Sequence, residues 1–269
     1  MAHLFNLLLV VPIINILVAI YKILLFAHIP FAFGFSIIVL TALVRLVLYP
    51  LTASQLRSSK KMQELSPHIQ RLKEKHGKDS KTIQSETMKL YKEHGVNPVA
   101  GCLPLLIQLP FIWGLYSVLN QVVHLDSHTV QAKINSMVYS SSLKISGPWD
   151  TNFFGLPLGD SPSHLIHTIG PIVILIPVLT GLLQFIQSKM LFSSAPKTPG
   201  VKKNEDFATT FQSQSAYIFP VMIAFLSWGF PIGLSLYWNT FTVFGIIQQY
   251  QIQGLGGLAP LINKYGSRK

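Results

Sequence analysis

Three long stretches of this chain carry no charge: between Glu93 and Asp126, between Asp160 and Lys189, and between Asp206 and Lys264 there is no Asp, Glu, Lys or Arg. A helix that crosses a bilayer needs about 20 mainly apolar residues. The first two stretches hold one such helix each, and the third is long enough for two. Only 12% of the residues are charged and 49% are hydrophobic, against about 25% charged in an ordinary soluble domain. A soluble core does not require apolar runs of this length, so the chain reads as a helical protein that crosses a membrane several times.

The same reading divides the rest of the chain. Residues 1–30 are expected to form a peripheral helix. Pro12 breaks or begins a helix, and 13–27 measures only about 22 Å at 1.5 Å per residue, short of the ~30 Å hydrocarbon layer. Asn15 and Lys22, seven apart, share one narrow face, as suits a helix in the membrane interface; a sixth span is the alternative. No Lys or Arg precedes the apolar stretch and no small-x-small site follows it, so it is expected to be retained and not cleaved. Without an Arg- and Ser-rich leader, a bacterial cell membrane is expected over an organelle.

Spans are expected over 31–52, 97–123, 165–187, 215–233 and 234–253. Residues 53–96 switch to a basic helical hairpin. Leu65, Ile69 and Leu72 recur at helical spacing in its first arm, and Ile83, Thr87 and Leu90 in its second. Gly77 reads as a stop, with Asp79 or Ser80 capping the return, and Ser66-Pro67 as a cap with a bend. Asn97-Pro98 offers a cap and first-turn proline to the second span. The segments 124–164 and 188–214 read as loops, and 254–269 as a tail.

Net charge is +11. In a chain of this kind the surplus reports topology first, because Lys and Arg collect in cytoplasmic loops. Segments 53–96, 188–214 and 254–269 hold 10, 4 and 3 of them, while Lys22, Lys133 and Lys144 stand on the other side. Alternation through five spans puts all three basic segments, the C-terminus included, on the cytoplasmic side.

Arg45 is the one cation inside a confident span. Such residues usually face protein or a water-filled cavity; snorkelling to the nearby end is the alternative. Thr41, one turn earlier, widens its polar stripe. No span contains Asp or Glu, which argues against a proton relay and suits a site that receives negative charge from elsewhere. Gln108, Gln184, Gln187, Asn239 and Gln248 supply amides on other spans. Bonding between helices explains any one of them, and with Arg45 they are able to line one hydrophilic groove. His124 with His128, and His164 with His167, lack the glutamate and third ligand of a zinc site. The single Cys102 excludes a disulfide framework or cysteine metal cluster. Gly254, Gly256 and Gly257 follow no strand and form no nucleotide loop; Gly229 and Gly233 flank Pro231 in a tight turn. No nucleophile–base pair supports an enzyme, and no cofactor is expected. The basic hairpin suits anionic lipid, RNA phosphates or an acidic partner.

At these residues the chain resembles the YidC/Oxa family of membrane protein insertases. The resemblance rests on GFSIIVLTALVRLVLYPLT at 34–52, NPVAGCLPLLIQLPF at 97–111, FIQSKM at 185–190, and LYWNT at 236–240 followed by IQQ at 247–249. It covers nearly the whole chain, and the first two blocks are specific. It implies an all-α, polytopic five-helix transmembrane bundle around a hydrophilic groove open to cytoplasm and lipid, with an interfacial helix before the first span and a mobile cytoplasmic hairpin. It implies that Arg45 and Thr41 face the groove, that Gln187 forms a polar wall and that Trp238 touches the passing chain. The partners implied are nascent membrane proteins, the ribosome and targeting machinery, and membrane lipids, with a Sec translocon a further candidate; no nucleic acid is implied beyond ribosomal contact. Two departures are expected, a missing large outer domain before the first span and a missing long basic tail. A secondary transporter would show a repeat or intramembrane carboxylates, and a structural subunit would leave Arg45 and the hairpin unused.

Overall fold

The structure is a computed structural model that describes residues 4, 6–77, 79–96, 103–123, 127–147, 150–191 and 207–259. Its helices are α1 (Val11–Phe26, entered through a π-helical turn, Asn6–Val10), α2 (Ala32–Val47), α3 (Tyr49–His76), α4 (Ser80–Glu93), α5 (Leu103–Val123), α6 (Ser127–Met137), the short α7 (Pro162–Leu165), α8 (Leu175–Leu191), α9 (Phe207–Gly229) and α10 (Ile232–Gln253). The only sheet among the described residues is a two-stranded antiparallel ladder, β1 (Asn152–Phe153) with β2 (Leu156–Pro157). The fold is all-α. Backbone contacts group the chain into two units, Met1–Val47 with Leu105–Leu183 and Val221–Phe244, and Leu48–Pro104 with Gln184–Pro220 and Gly245–Lys269.

Pro12 does not break the first helix. It sits in the opening turn of α1, where its missing N–H has no intrahelical acceptor to lose, and the π-turn carries the helix back to Asn6. Asn6–Phe26 is thus 21 residues with mean hydropathy 2.5, and Pro171–Leu191 is 21 with 1.8; both are long and apolar enough to cross a membrane. The expected length deficit of 13–27 disappears. The expected polar face of α1 is real but turned inward. Asn15 donates to the Met137 carbonyl (3.0 Å) and accepts from the Tyr139 N–H (2.7 Å), and Lys22 donates to the carbonyls of Ser142 (2.5 Å) and Lys144 (3.0 Å). The two residues pin the segment after α6.

The first unit closes around α1 and α2. Ile14, Leu17 and Val18 are buried with Phe33, Ile37, Leu115, Leu119 and Leu158. Two glycines let backbone and rings come close. A Cβ on Gly34 would lie 2.0 Å from Cδ2 of Phe153, and one on Gly233 would lie 3.1 Å from the Leu158 carbonyl oxygen. At the second contact the Gly233 N–H donates to Leu158 (2.6 Å) and the Ile232 N–H to Asp160 (2.8 Å). These carbonyls satisfy amides that the first turn of any helix leaves open. The segment expected as a plain loop over 124–164 is therefore folded, and it caps α10. The expected turn before α10 is present, with Gly233 serving close approach.

In the second unit the expected hairpin is α3 and α4. The chain reverses at Gly77, whose φ of +58° suits glycine. Asp79 is the cap: its carboxylate accepts from the Thr82 N–H (3.2 Å) and hydroxyl (2.6 Å). Leu65 and Ile83 are buried; burial also pushes the Tyr91 phenol above its ordinary pKa. Two boundaries differ from expectation. Pro67 lies inside a continuous α3, so it starts no new helix. Pro50 occupies the first turn of α3 and α2 stops at Val47, because proline is tolerated in an opening turn and not in an interior one. The last turn expected of the first span belongs to the hairpin arm. That arm is tied to neighbouring helix ends: Gln63 donates to the Leu191 carbonyl (2.5 Å) and Gln253 to that of Leu56. The expected cap at Asn97-Pro98 lies outside the described residues.

Two outcomes follow. Gly→Ala inside a helix ordinarily stabilises by up to about 1 kcal/mol. Gly34→Ala should do the reverse, lowering stability by about 1–3 kcal/mol as Phe153 is displaced, read as a fall in unfolding temperature. Hydrogen bonds from Thr82 hold the Asp79 carboxyl below its ordinary pKa. Its contribution to the turn is therefore complete above the ordinary value and lost as pH falls through the lowered one. Exchange of the Thr82 amide should accelerate across that acid window and be insensitive to pH-linked capping in Asp79→Asn.

Candidate functional site

Arg45 stands in the last turn of α2, where the outward-pointing carbonyls of a helix end favour a cation. It is 5% exposed, so it has not snorkelled to an end. Its Nη2 donates to the backbone carbonyl of Phe241 (2.6 Å), and the guanidinium lies over the Phe241 ring, 3.4 Å from the centroid. One residue of α10 thus supplies both an acceptor and an electron-rich face. A desolvated cation–π contact contributes about 2 kcal/mol, the same order as the few kcal/mol that a cation costs within a span. Tyr237 is buried one turn earlier on α10, its ring 6.0 Å from that of Phe241. These two aromatics were missed by a search for polar residues. Their spacing of four, which puts both rings on one face of α10, is the signal that could have found them.

Thr41 is fully buried and its hydroxyl donates to the Ile37 carbonyl (2.6 Å), so it adds a polar atom to the interior while bonded to its own helix. On α10, Trp238 is half-buried, and the Asn239 Oδ1 is buried with no hydrogen-bond partner among the described residues. The structure places Arg45, Thr41, Trp238 and Asn239 in the first unit and Gln187, half-buried, in the second. Gln184 and Gln248 are buried in the second unit too. Gln108 lies in α5, but its side chain is outside the described residues, as are those of His124 and His128. His164 is exposed and pairs with Asp160 (2.8 Å) at the start of α7.

A further polar contact joins three helices of the first unit. The hydroxyl of Ser227 on α9 lies 2.8 Å from that of Ser235 on α10 and donates to Thr180 on α8 (3.4 Å); all three residues are buried. Small hydroxyl residues let helices approach and bond where no water is present. Meanwhile Ile23, Phe26, Leu46, Ile172, Leu182, Val221 and Phe225 are exposed. The distribution is that of a bundle with apolar sides outward and a cation, hydroxyls and amides inward.

A family model described as 60Kd inner membrane protein matches residues 24–256. The chain is 33% identical over 224 residues to the membrane protein insertase YidC of Fusobacterium nucleatum, covering 83% of this chain and 87% of that one. It is 34% identical over 226 residues to the insertase MisCA of Bacillus subtilis, covering 82% and 70%. With the chloroplast inner membrane protein ALBINO3 of Arabidopsis thaliana it shares 33% over 244 residues, 90% of this chain and 51% of that one. Among solved structures, a crystal structure of an active YidC insertase with its first transmembrane domain resolved superposes with a TM-score of 0.53 at 30% identity, over 81% of this chain and 41% of that one.

Phe241→Leu keeps the backbone carbonyl and removes the ring face. It should lower the stability of the purified protein in detergent by about 1–2 kcal/mol, measured by thermal unfolding. The same substitution in an Arg45→Met background should change stability far less, since the partner is already gone.

Proposed function

Because the chain belongs to the 60Kd inner membrane protein family, which includes the YidC and ALBINO3 proteins, we propose that it inserts nascent membrane proteins through a hydrophilic groove centred on Arg45. Membrane protein insertion is the function its relatives are named for. The observation that carries the finer reading is the burial of Arg45 against Phe241, within a unit that also buries Thr41, Thr180, Ser227 and Ser235.

The mechanism follows from dielectric cost. A client helix enters lipid readily, but its polar flank has to cross about 30 Å of hydrocarbon, where an unbonded polar group costs several kcal/mol. A wet interior that begins at the cytoplasmic face shortens that path. The guanidinium of Arg45 attracts an acidic flank, Thr41, Gln108, Gln187 and Asn239 supply bonding partners, and Trp238 offers an amphipathic surface to the passing chain. The client's apolar segment then leaves sideways into lipid, its own burial driving the step without catalytic chemistry. In this reading α2, α5, α8, α9 and α10 are the five spans. α3 and α4 lie in the cytoplasm with the C-terminus, in a bacterial inner membrane, and present exposed Arg57, Lys60, Lys61, Arg71, Lys81 and Lys89 to the ribosome, targeting machinery or anionic lipid. A Sec-type channel is a further candidate partner.

A photo-crosslinker at position 45 should capture a stalled nascent membrane protein. One at Leu43, exposed on the same helix, serves as the lipid-facing control. Capture at 45 no greater than at 43 would sink the groove. Arg45→Lys keeps the charge but loses the planar fork that bonds Phe241 while stacking on its ring. It should reduce insertion of a small client into proteoliposomes; full activity would show that charge alone suffices.

A further inference from the structure

The turn between β1 and β2 puts a phenylalanine where the backbone disfavours one. Phe154 and Gly155 both have positive φ, +52° and +83°, the pattern of a type I′ turn, which favours Asn-Gly or Gly-Gly. Phe31, at the start of α2, is also left-handed, at +55°. A bulky residue in this region is strained, so the side chain needs a compensating contact.

Inside the protein Phe154 finds only part of one. Its ring lies 4.6 Å from that of Phe31 and 4.8 Å from that of Phe153, yet the residue remains 66% exposed. Phe153 fills the opposite role, seated over Gly34 and edge-on to Phe35 (5.4 Å). The ladder is thereby held on the N-terminal end of α2 with one ring anchored and one ring presented. Nearby in sequence, at the end of α1, Phe26 is 87% exposed.

Length says what covers these rings. α2 has 16 residues, about 24 Å at 1.5 Å per residue, which falls short of a ~30 Å hydrocarbon layer. The N-terminal half of α2 is itself covered, and the exposed apolar surface near this end is that of the adjoining end of α1, Ile23, Leu25 and Phe26, together with Phe154. Exposed rings at the end of a spanning helix lie at the depth where membrane proteins concentrate aromatic side chains.

We infer that the β1–β2 turn is a membrane anchor: Phe154, braced by Phe31 and Phe153, dips into the acyl–headgroup boundary of the leaflet at the N-terminal end of α2. This rests on α2 crossing the bilayer, and not on which side is cytoplasmic. The anchor would hold the folded segment 127–165 against the bilayer, so that the cap it places on the first turn of α10 stays in register with the spans.

The test uses the full chain with Cys102→Ser, which removes the single cysteine, reconstituted in phosphatidylcholine–phosphatidylglycerol vesicles. An environment-sensitive fluorophore is attached at Phe154→Cys, at the exposed Asp150→Cys as an aqueous control, and at Leu43→Cys as a control within the span. Position 154 should emit at shorter wavelength than 150. Lipid carrying a nitroxide near the headgroup should quench it strongly, and iodide on both sides of the vesicle weakly. Iodide quenching at 154 equal to that at 150, with no nitroxide quenching, would overturn the anchor. If Leu43 is then quenched by lipid, the span reading stands; if it is not, both fall. A second measurement avoids labelling the turn tip itself. Phe154→Asn suits the turn better than phenylalanine, so the fold should persist, and a fluorophore at Asn152→Cys should become more open to iodide in that variant. Unchanged access at 152 would equally overturn the proposal.

Discussion

A guanidinium withdrawn from water has to recover its solvation from whatever atoms surround it, and in this protein those atoms come largely from one residue. Phe241 meets Arg45 with its carbonyl and its ring, while the end of α2 adds the partial charge of its terminal carbonyls. All of these partners are neutral. Neither the carbonyl nor the ring carries a net charge of its own.

One folded segment closes the first turns of both α2 and α10. Gly34 and Gly233 have no Cβ to obstruct the segment around β1 and β2, so Phe153 sits against one helix and the Leu158 carbonyl bonds the first turn of the other. Asn15 and Lys22 fasten the same segment to α1 through backbone groups. The bonds to Ile232 and Gly233 satisfy amides that the first turn of α10 leaves open. The second unit uses a different device. Gln63 donates to the carbonyl of Leu191 at the end of α8, and Gln253, at the end of α10, donates to that of Leu56 within α3. Gly256 passes so near the Met190 carbonyl that no side chain would fit.

Much of this was legible beforehand. Long charge-free runs are satisfied readily by apolar helices, so the all-helical character of the chain follows from composition. Gly77 with Asp79 made the hairpin turn readable because glycine and a capping carboxylate act within four residues. What misled was local too. Pro12, Pro50 and Pro67 each signal a helix boundary, but a proline in an opening turn and one inside a helix look alike until the neighbouring turn is known. Asn15 and Lys22 share a helix face, which suggests an interfacial stripe; apart from a bond from Asn15 to Val11 on its own helix, their partners lie 120 or more residues away, and no local pattern reports them.

The sequence by itself determined that this chain is a helical membrane protein with a basic hairpin. Hydrocarbon penalises charge so heavily that long charge-free runs stand out from the rest of the chain. Only the tertiary structure decided what Arg45 rests on, which glycines are seats for other groups, and that the segment between α5 and α8 is a folded cap. Those outcomes depend on contacts between distant stretches, and the energy of a phenylalanine face or a missing Cβ exists only once the two surfaces have met.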